Sequence, residues 1–278
     1  MEETLKEYEQ PFYIARHKHD STFNMKSCHY HNDFEIYYLL DGRRNYFIQN
    51  KVYSVVKGDI VLINIQDIHK TMDSNNSVHE RIVINFKKEF IAPLLEDEDD
   101  LLSCFLSDHK VINLNVTEQS FVQSILLKMV EEDRRKPKGY LTYEKILLTE
   151  LLLFINRNME KFDEQQRYRS SLQNKMSEVA LYLIENYKKK ITLKQVADEF
   201  FITPSHLSRS FKKTTGFTFI EYLNSIRIKE AQKLLKGTRK SVMEISELAG
   251  FESQTHFGRV FKEVTGLSPL QYRKRPGI

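Results

Sequence analysis

The sequence predicts an α+β protein of two domains, an N-terminal antiparallel β-barrel with a helical segment and an all-α C-terminal domain. Three observations predict it. Short runs of β-branched and aromatic residues fill positions 22 to 86 and give way to helical periodicity from about position 118. The stretch HLSRSFKKTTGFTFIEY at 206–222 returns, without a gap, as HFGRVFKEVTGLSPLQY at 256–272. A chain of 278 residues is also longer than one compact core accommodates.

In the first domain FEIYYLL (34–40), NYFIQN (45–50), KVYSVV (51–56), DIVLINI (59–65) and RIVINF (81–86) read as strands, separated by turn signals such as Asp41-Gly42 and Lys57-Gly58-Asp59. Strands this short and this close together indicate an antiparallel sandwich or barrel. After the acidic run EDEDD (96–100), apolar residues recur at helical spacing over 118–135 and 141–160, with a break at Lys136-Pro137-Lys138-Gly139. These two helices carry more apolar surface than a small barrel covers. They are candidates for a dimer interface, with packing inside the domain as the alternative. EQQRYRSS (164–171) is polar and aperiodic and reads as a linker. The expected domains are therefore 1–163 and 172–278.

Beyond the linker the pattern is helical throughout. A helix is expected over about 173–189, then one over 193–200 introduced by Thr192 as N-cap, and one from Pro204 to a stop at Gly216. A long helix follows over about 218–236. The short–turn–long pattern then recurs, with helices near 241–249 and 253–265 ending at Gly266. That is a helix-turn-helix, twice.

Charge divides along the same boundary. Residues 172–278 hold 19 Lys+Arg against 10 Asp+Glu, a balance of +9, while residues 1–171 carry −5. A basic helical domain on an acidic remainder points to a polyanionic partner, with a chance surface asymmetry as the alternative. The composition, 41% hydrophobic and 29% charged, excludes a disordered or membrane-embedded chain. The acidic start MEETLKEYEQ is not that of a signal peptide, and the most apolar stretch, ILLTELLLFI (146–155), is about half a membrane span. Cys28 and Cys104 match neither a disulfide framework nor a metal-binding spacing, so a reducing cytoplasm is the expected compartment.

In the second repeat Phe257, Val260, Phe261 and Val264 form the apolar stripe of an amphipathic helix, leaving Gln254, Thr255, Arg259 and Lys262 on the other face. In the first, Leu207 and Phe211 are the buried residues, and Ser205, Ser208, Arg209 and Lys212 face out. A basic, hydrogen-bonding face on the second helix of a helix-turn-helix suits the major groove. Arg there bridges guanine O6 and N7, Gln pairs with adenine, and Lys meets phosphate. His206 and His256 stay open to two readings, base contact or local packing.

Residues 172–278 resemble the DNA-binding domain of the AraC/XylS family of bacterial transcription regulators, most specifically over GFESQTHFGRVFKEVTGLSPLQYRKR (250–275). The resemblance places base-reading positions at Ser205, His206 and Arg209, and at Gln254, Thr255, His256 and Arg259. One departure concerns the first turn, which has Phe201 where the family has glycine; the second keeps Gly250.

The first domain contains HYHNDFEIYYLLDG (29–42), which resembles the first cupin motif, and GDIVLINIQDIH (58–69), which resembles the second more loosely because Asn64-Ile65-Gln66 stands in place of Pro-x-Gly. In cupin enzymes His29, His31, Glu35 and His69 would be metal ligands. In regulators of this kind the barrel is a small-molecule pocket. The expectation is therefore a cupin-like barrel without metal or cofactor, its pocket lined by His29, His31, Glu35, Tyr37, His69 and Arg43 or Arg44. Such a lining suits a hydroxyl-rich effector such as a sugar. The segment 9–20 is expected to be an arm over this pocket. No nucleophile–base–acid set and no phosphate loop stands out. The expected partners are promoter DNA, the effector, a second copy of the chain and RNA polymerase, with no membrane. A metal-binding cupin enzyme or metal sensor with a basic DNA-binding tail is the alternative.

Overall fold

The computed structural model describes residues 10–19, 30–73, 78–92, 101–159, 161–162 and 175–274. The expected linker, 164–171, and His29 lie outside them.

The N-terminal domain is two antiparallel sheets face to face. Strands β1 (Phe12–His19), β2 (Phe34–Asp41), β5 (Ile60–Ile63), β7 (His79–Phe86) and β8 (Val111–Ile112) form one, in the order β1-β7-β2-β5-β8. Strands β3 (Arg43–Ile48), β4 (Lys51–Val56) and β6 (His69–Asp73) form the other, in the order β4-β3-β6. The segment read as an arm is thus strand β1, paired residue for residue with β7 from Phe12↔Phe86 to His19↔His79. Strand alternation sends successive side chains to opposite faces. The inner faces of both sheets meet in a shared cluster that includes Tyr37, Leu39, Tyr46, Ile48, Val55, Val61 and Val83.

The larger sheet is also covered outside. Ile36, Tyr38, Ile60, Leu62, Ile82 and Ile84 of the larger one pack against α2 (Val116–Arg135) and α3 (Tyr140–Arg157) in one core. Helix α2 starts on a capping box, Asn115 with Glu118, and the chain reverses through Lys136 and Gly139, both at positive φ. The main apolar stripe of this hairpin, Val122, Ile125, Leu126 and Met129 with Leu148, Leu151, Leu152 and Ile155, is used up inside the domain. Tyr143, Ile146 and Leu153 remain exposed, along one side of α3.

Glu144, on the same helix, is 0% exposed, and neither carboxylate oxygen has a hydrogen-bond partner. Burial, reinforced by Asp133 and Glu132 and opposed by Lys136, pushes its pKa up to about 7. Because the folded state then holds this proton more tightly than the unfolded state does, stability is full at pH below 4.5 and falls as pH rises toward 7. Glu144→Gln is expected to flatten that decline and to gain roughly 1–3 kcal/mol at pH 8, with little change at pH 4. Urea unfolding at the two pH values measures it; equal effects at both would exclude ionisation as the cause.

The C-terminal domain follows the predicted helices closely. The first unit has α4 (Lys175–Asn186), α5 (Leu193–Glu199) and α6 (Pro204–Thr215), and α7 (Phe219–Gly237) is the long connecting helix. The second unit has α8 (Val242–Leu248), α9 (Gln254–Thr265) and a further short helix, α10 (Pro269–Lys274). Capping boxes at Thr192, Thr218 and Ser241 start three of these helices. Gly216 and Gly266, in the left-handed region, stop the two recognition helices.

The two turns take the same conformation with different residues. Gly250 has φ +86° and Phe201 has φ +53°. Phe201 N donates to Asp198 O and Ile202 N to Ala197 O, matching Gly250 N to Glu247 O and Phe251 N to Ser246 O. A left-handed phenylalanine costs about 1–2 kcal/mol. It is tolerated because the Phe201 side chain is 91% exposed. At Gly250 a Cβ would lie 2.5 Å from the Tyr187 carbonyl oxygen, so glycine is required there.

Candidate functional site

Both recognition helices begin alike. Thr203 accepts a hydrogen bond from His206 N and Ser253 from His256 N. Leu207 and Phe211 in the first, and Phe257, Val260 and Phe261 in the second, are buried. Ser205, His206, Ser208, Arg209 and Lys212 are exposed on α6, as are Gln254, Thr255, His256, Arg259 and Lys262 on α9. Each unit thus presents an uncovered hydrogen-bonding, basic face. The histidines also have local partners: His206 Nε2 lies 3.3 Å from Ser210 Oγ, and the His256 ring meets Phe251 edge-on at 5.8 Å. Arg209 Nε donates to Ser205 O at 3.3 Å, so this side chain lies along its own helix. An open cleft of about 620 Å³ lined by Ala197, Asp198, Phe201, Ile202, Thr203 and His206 sits beside the first face, away from the N-terminal domain's interior.

In the N-terminal domain the space between the sheets is a polar interior. His31 Nε2 donates to Glu35 Oε2 at 3.0 Å and its Nδ1 to Asp33 O at 2.9 Å. Burial disfavours charge on His31, but Glu35 and then the Asp33 carbonyl outweigh it, and the pKa is raised. His69, fully buried, donates from Nδ1 to Asp67 O at 2.8 Å and turns Nε2 toward Glu35 Oε2 at 3.8 Å. Burial lowers its pKa, with Glu35 partly opposing. Asn85 Nδ2 donates to the same Glu35 oxygen at 3.3 Å. Tyr37 meets Tyr46 edge-to-face at 5.0 Å, and burial raises the Tyr37 pKa to about 12 against the pull of Arg81 and Arg44.

Of the pocket residues expected from the sequence, His31, Glu35, Tyr37 and His69 come together here. Arg43 does not. It is exposed, because period-two alternation turns Arg44 inward instead, 0% exposed, with Nε donating to Thr71 Oγ1 at 3.2 Å and Nη1 3.5 Å from Asp73 Oδ1. Arg81 faces the same interior, its guanidinium carbon 5.8 Å from the Tyr37 ring centre. Buried His79 stacks on His19 at 4.8 Å, and burial, helped by Arg44 and Arg81, lowers its pKa to about 3. Arg81, His79 and Asn85 were missed, although alternation within the predicted strand 81–86 puts Arg81, Val83 and Asn85 on one face.

The donor atoms of His31, Glu35 and His69 lie within 4.8 Å of one another, a two-histidine, one-carboxylate set that could hold a divalent metal. Both His31 nitrogens, however, face acceptors, so a metal bound there would have to displace a proton from His31.

A domain with a polar interior joined to two helix-turn-helix units with open faces is the arrangement of a transcription regulator with a ligand-binding and a DNA-binding domain. Residues 10–132 match the AraC-like ligand binding domain family and residues 196–275 match a helix-turn-helix domain family. The chain belongs to the AraC family of transcriptional regulators. It is 33% identical over 131 residues to the uncharacterized HTH-type transcriptional regulator YisR of Bacillus subtilis, which is 47% of this chain and 44% of that protein. The chain thus spans less than half the length of that relative. It is 21% identical to the HTH-type transcriptional activator RhaR of Mannheimia succiniciproducens, over 96% of this chain and 93% of that protein. Solved structures of ToxT from Vibrio cholerae include one aligned over 95% of this chain and 97% of its own, at 17% identity and a TM-score of 0.41.

Proposed function

We propose that this protein is a sequence-specific DNA-binding regulator whose interior binds a small polar effector, with sugars as the leading class. The observation that carries the reading is the pair of equivalent, uncovered recognition faces. On each, the arginine and the serine, glutamine or threonine beside it read base edges, and Lys212 and Lys262 meet phosphate. Glu35, His31, His69, Tyr37, Arg44 and Arg81 supply the alternating donors, acceptors and aromatic faces that a hydroxyl-rich molecule needs. The chemistry is binding, and turnover has no place in it.

A thermal-shift panel on the whole chain tests the effector, because a ligand that binds only the folded state raises stability by mass action, by about 2.7 kcal/mol at 100 times its Kd. A sugar or other polyol is expected to raise the melting temperature, and Glu35→Gln to abolish the rise. The close approach of His31, Glu35 and His69 favours a second reading, a metal sensor. Stabilisation by a divalent cation alone, lost in His31→Ala with His69→Ala, would replace the first reading by the second.

Assembly follows from the exposed side of α3. We infer a dimer through Tyr143, Ile146 and Leu153, apolar residues that the domain's own core leaves uncovered. A fragment of residues 1–163 is expected to run as a dimer in light scattering, and as a monomer once Ile146→Asp and Leu153→Asp are introduced. A monomeric wild-type fragment at tens of micromolar would sink the idea. Contact with RNA polymerase is part of the same reading, as the step by which a DNA-bound regulator acts.

A further inference from the structure

The three-stranded sheet is covered on part of its outer side, around Phe47 and Met72, by the DNA-binding domain. Phe47 packs edge-on against Phe217 at 5.4 Å and Tyr222 at 5.3 Å, within a cluster that also takes in Met72, Leu207 and Phe211. Lys70 Nζ donates to Gly216 O at 2.7 Å and lies 5.2 Å from the Phe217 ring centre. Lys70 alternates along β6 with His69 and Thr71, which face the interior. One strand therefore touches the effector site with one set of side chains and the first helix-turn-helix unit with the other.

A path of one close charge contact followed by hydrogen bonds runs the same way. Glu35 Oε2 faces His69 Nε2 at 3.8 Å, and His69 Nδ1 donates to Asp67 O at 2.8 Å. Gln49 Nε2 donates to Asp67 Oδ1 at 2.5 Å, and the Tyr222 hydroxyl donates to Gln49 O. Gln49 is held at φ +54° in the turn between β3 and β4. Tyr222 is on α7, the helix that carries both units. We propose that this path, Glu35–His69–Asp67–Gln49–Tyr222, relays the state of the sensor interior to the connecting helix and so sets how the first recognition helix is presented. The inference rests on the interior being the effector site. The relay acts by orientation, because the contact leaves Ser205, Ser208, Arg209 and Lys212 exposed. Packed interfaces switch between discrete arrangements and do not deform continuously, so a small displacement of His69 is enough to bias one.

The test is a double-mutant cycle on the full chain, which needs no identified effector. DNA duplexes are recovered from a random pool by the wild-type protein, and their Kd is measured for Glu35→Gln, Tyr222→Phe and the double variant. The relay predicts that Glu35→Gln changes Kd about 5-fold or more in the wild-type background and less than about 2-fold in the Tyr222→Phe background. Gln49→Ala, at an exposed turn position, breaks the path one link earlier and serves if Tyr222→Phe does not melt cooperatively. Amide hydrogen exchange over 217–226 is expected to change in Glu35→Gln, a readout independent of DNA. Equal effects of Glu35→Gln in both backgrounds, or none in either, overturn the relay and leave the regulator intact. Recovery of no duplex by the wild-type chain overturns both.

Discussion

Gly250→Ala is expected to cost about 2–5 kcal/mol in the second helix-turn-helix unit, from a left-handed alanine at about 1–2 kcal/mol and overpacking at about 1–3 kcal/mol. The added Cβ would sit 2.5 Å from the Tyr187 carbonyl oxygen and 3.0 Å from Lys188 Cα, both main-chain atoms. That carbonyl is itself fixed, since Arg227 Nε of α7 donates to it at 2.9 Å and Arg227 Nη2 donates to Lys189 O at 3.0 Å. Amide hydrogen exchange over 242–265 reads the loss locally. At the equivalent position of the first unit Phe201→Gly is expected to do the reverse, relieving the left-handed strain and returning part of it as chain entropy, for a net gain of about 0.5–1 kcal/mol. A loss at Gly250 below about 1 kcal/mol would show that the Tyr187 segment gives way freely.

Arg209→Ala and Arg259→Ala should each weaken binding to the true operator by about 1–3 kcal/mol and relax specificity at different base pairs, about 10 bp apart. The geometry behind this is the exposure of both arginines on recognition helices that are capped and buried in the same way. Arg209 first has to leave the Ser205 carbonyl, a bond made within its own helix and exchanged for one to a base. Lys212→Ala and Lys262→Ala are expected to weaken all sequences alike and to lower the salt slope by about 1 each. Footprinting with each arginine variant separates the two units. Protection of one groove only, indifferent to one of the arginines, would show that a single copy reads DNA and that the repeat is architectural.

The helical half was legible from sequence because its signals are local. Thr192, Pro204, Gly216, Gly250 and Gly266 each terminate or cap a helix through neighbours within a few residues, and they stand where the spacing puts them. Strand β1 reads as an arm because its ladder partner, β7, lies sixty or more residues away and its own residues, Arg16, His17, Lys18 and His19, are polar. Strand β6 was invisible for a related reason. His69, Thr71 and Asp73 face a polar interior and Lys70 and Met72 face another domain, so the apolar alternation that marks an ordinary strand is absent. The pocket was half legible. The cupin-like motif supplied His31, Glu35, Tyr37 and His69, and the sequence offered Arg44 as the alternative to Arg43, whereas Arg81 sits on a strand whose inward face no motif marks. Contact between the three-stranded sheet and the first unit leaves no pattern in either segment alone.

Helix α7 is a ruler. Its Phe219, Tyr222 and Ile226 are built into the core of the first unit, and its Ile228, Ala231 and Leu235 into that of the second. At about 1.5 Å and 100° per residue, inserting one residue between Ile226 and Ile228 would advance the second recognition face by a fraction of a base pair but swing it through more than a quarter turn. Distance along the duplex and angle around it are thus locked to the same residue count. An operator read by both units would have to keep a single spacing between its two half-elements, free to diversify in the letters of those elements but not in the gap that separates them.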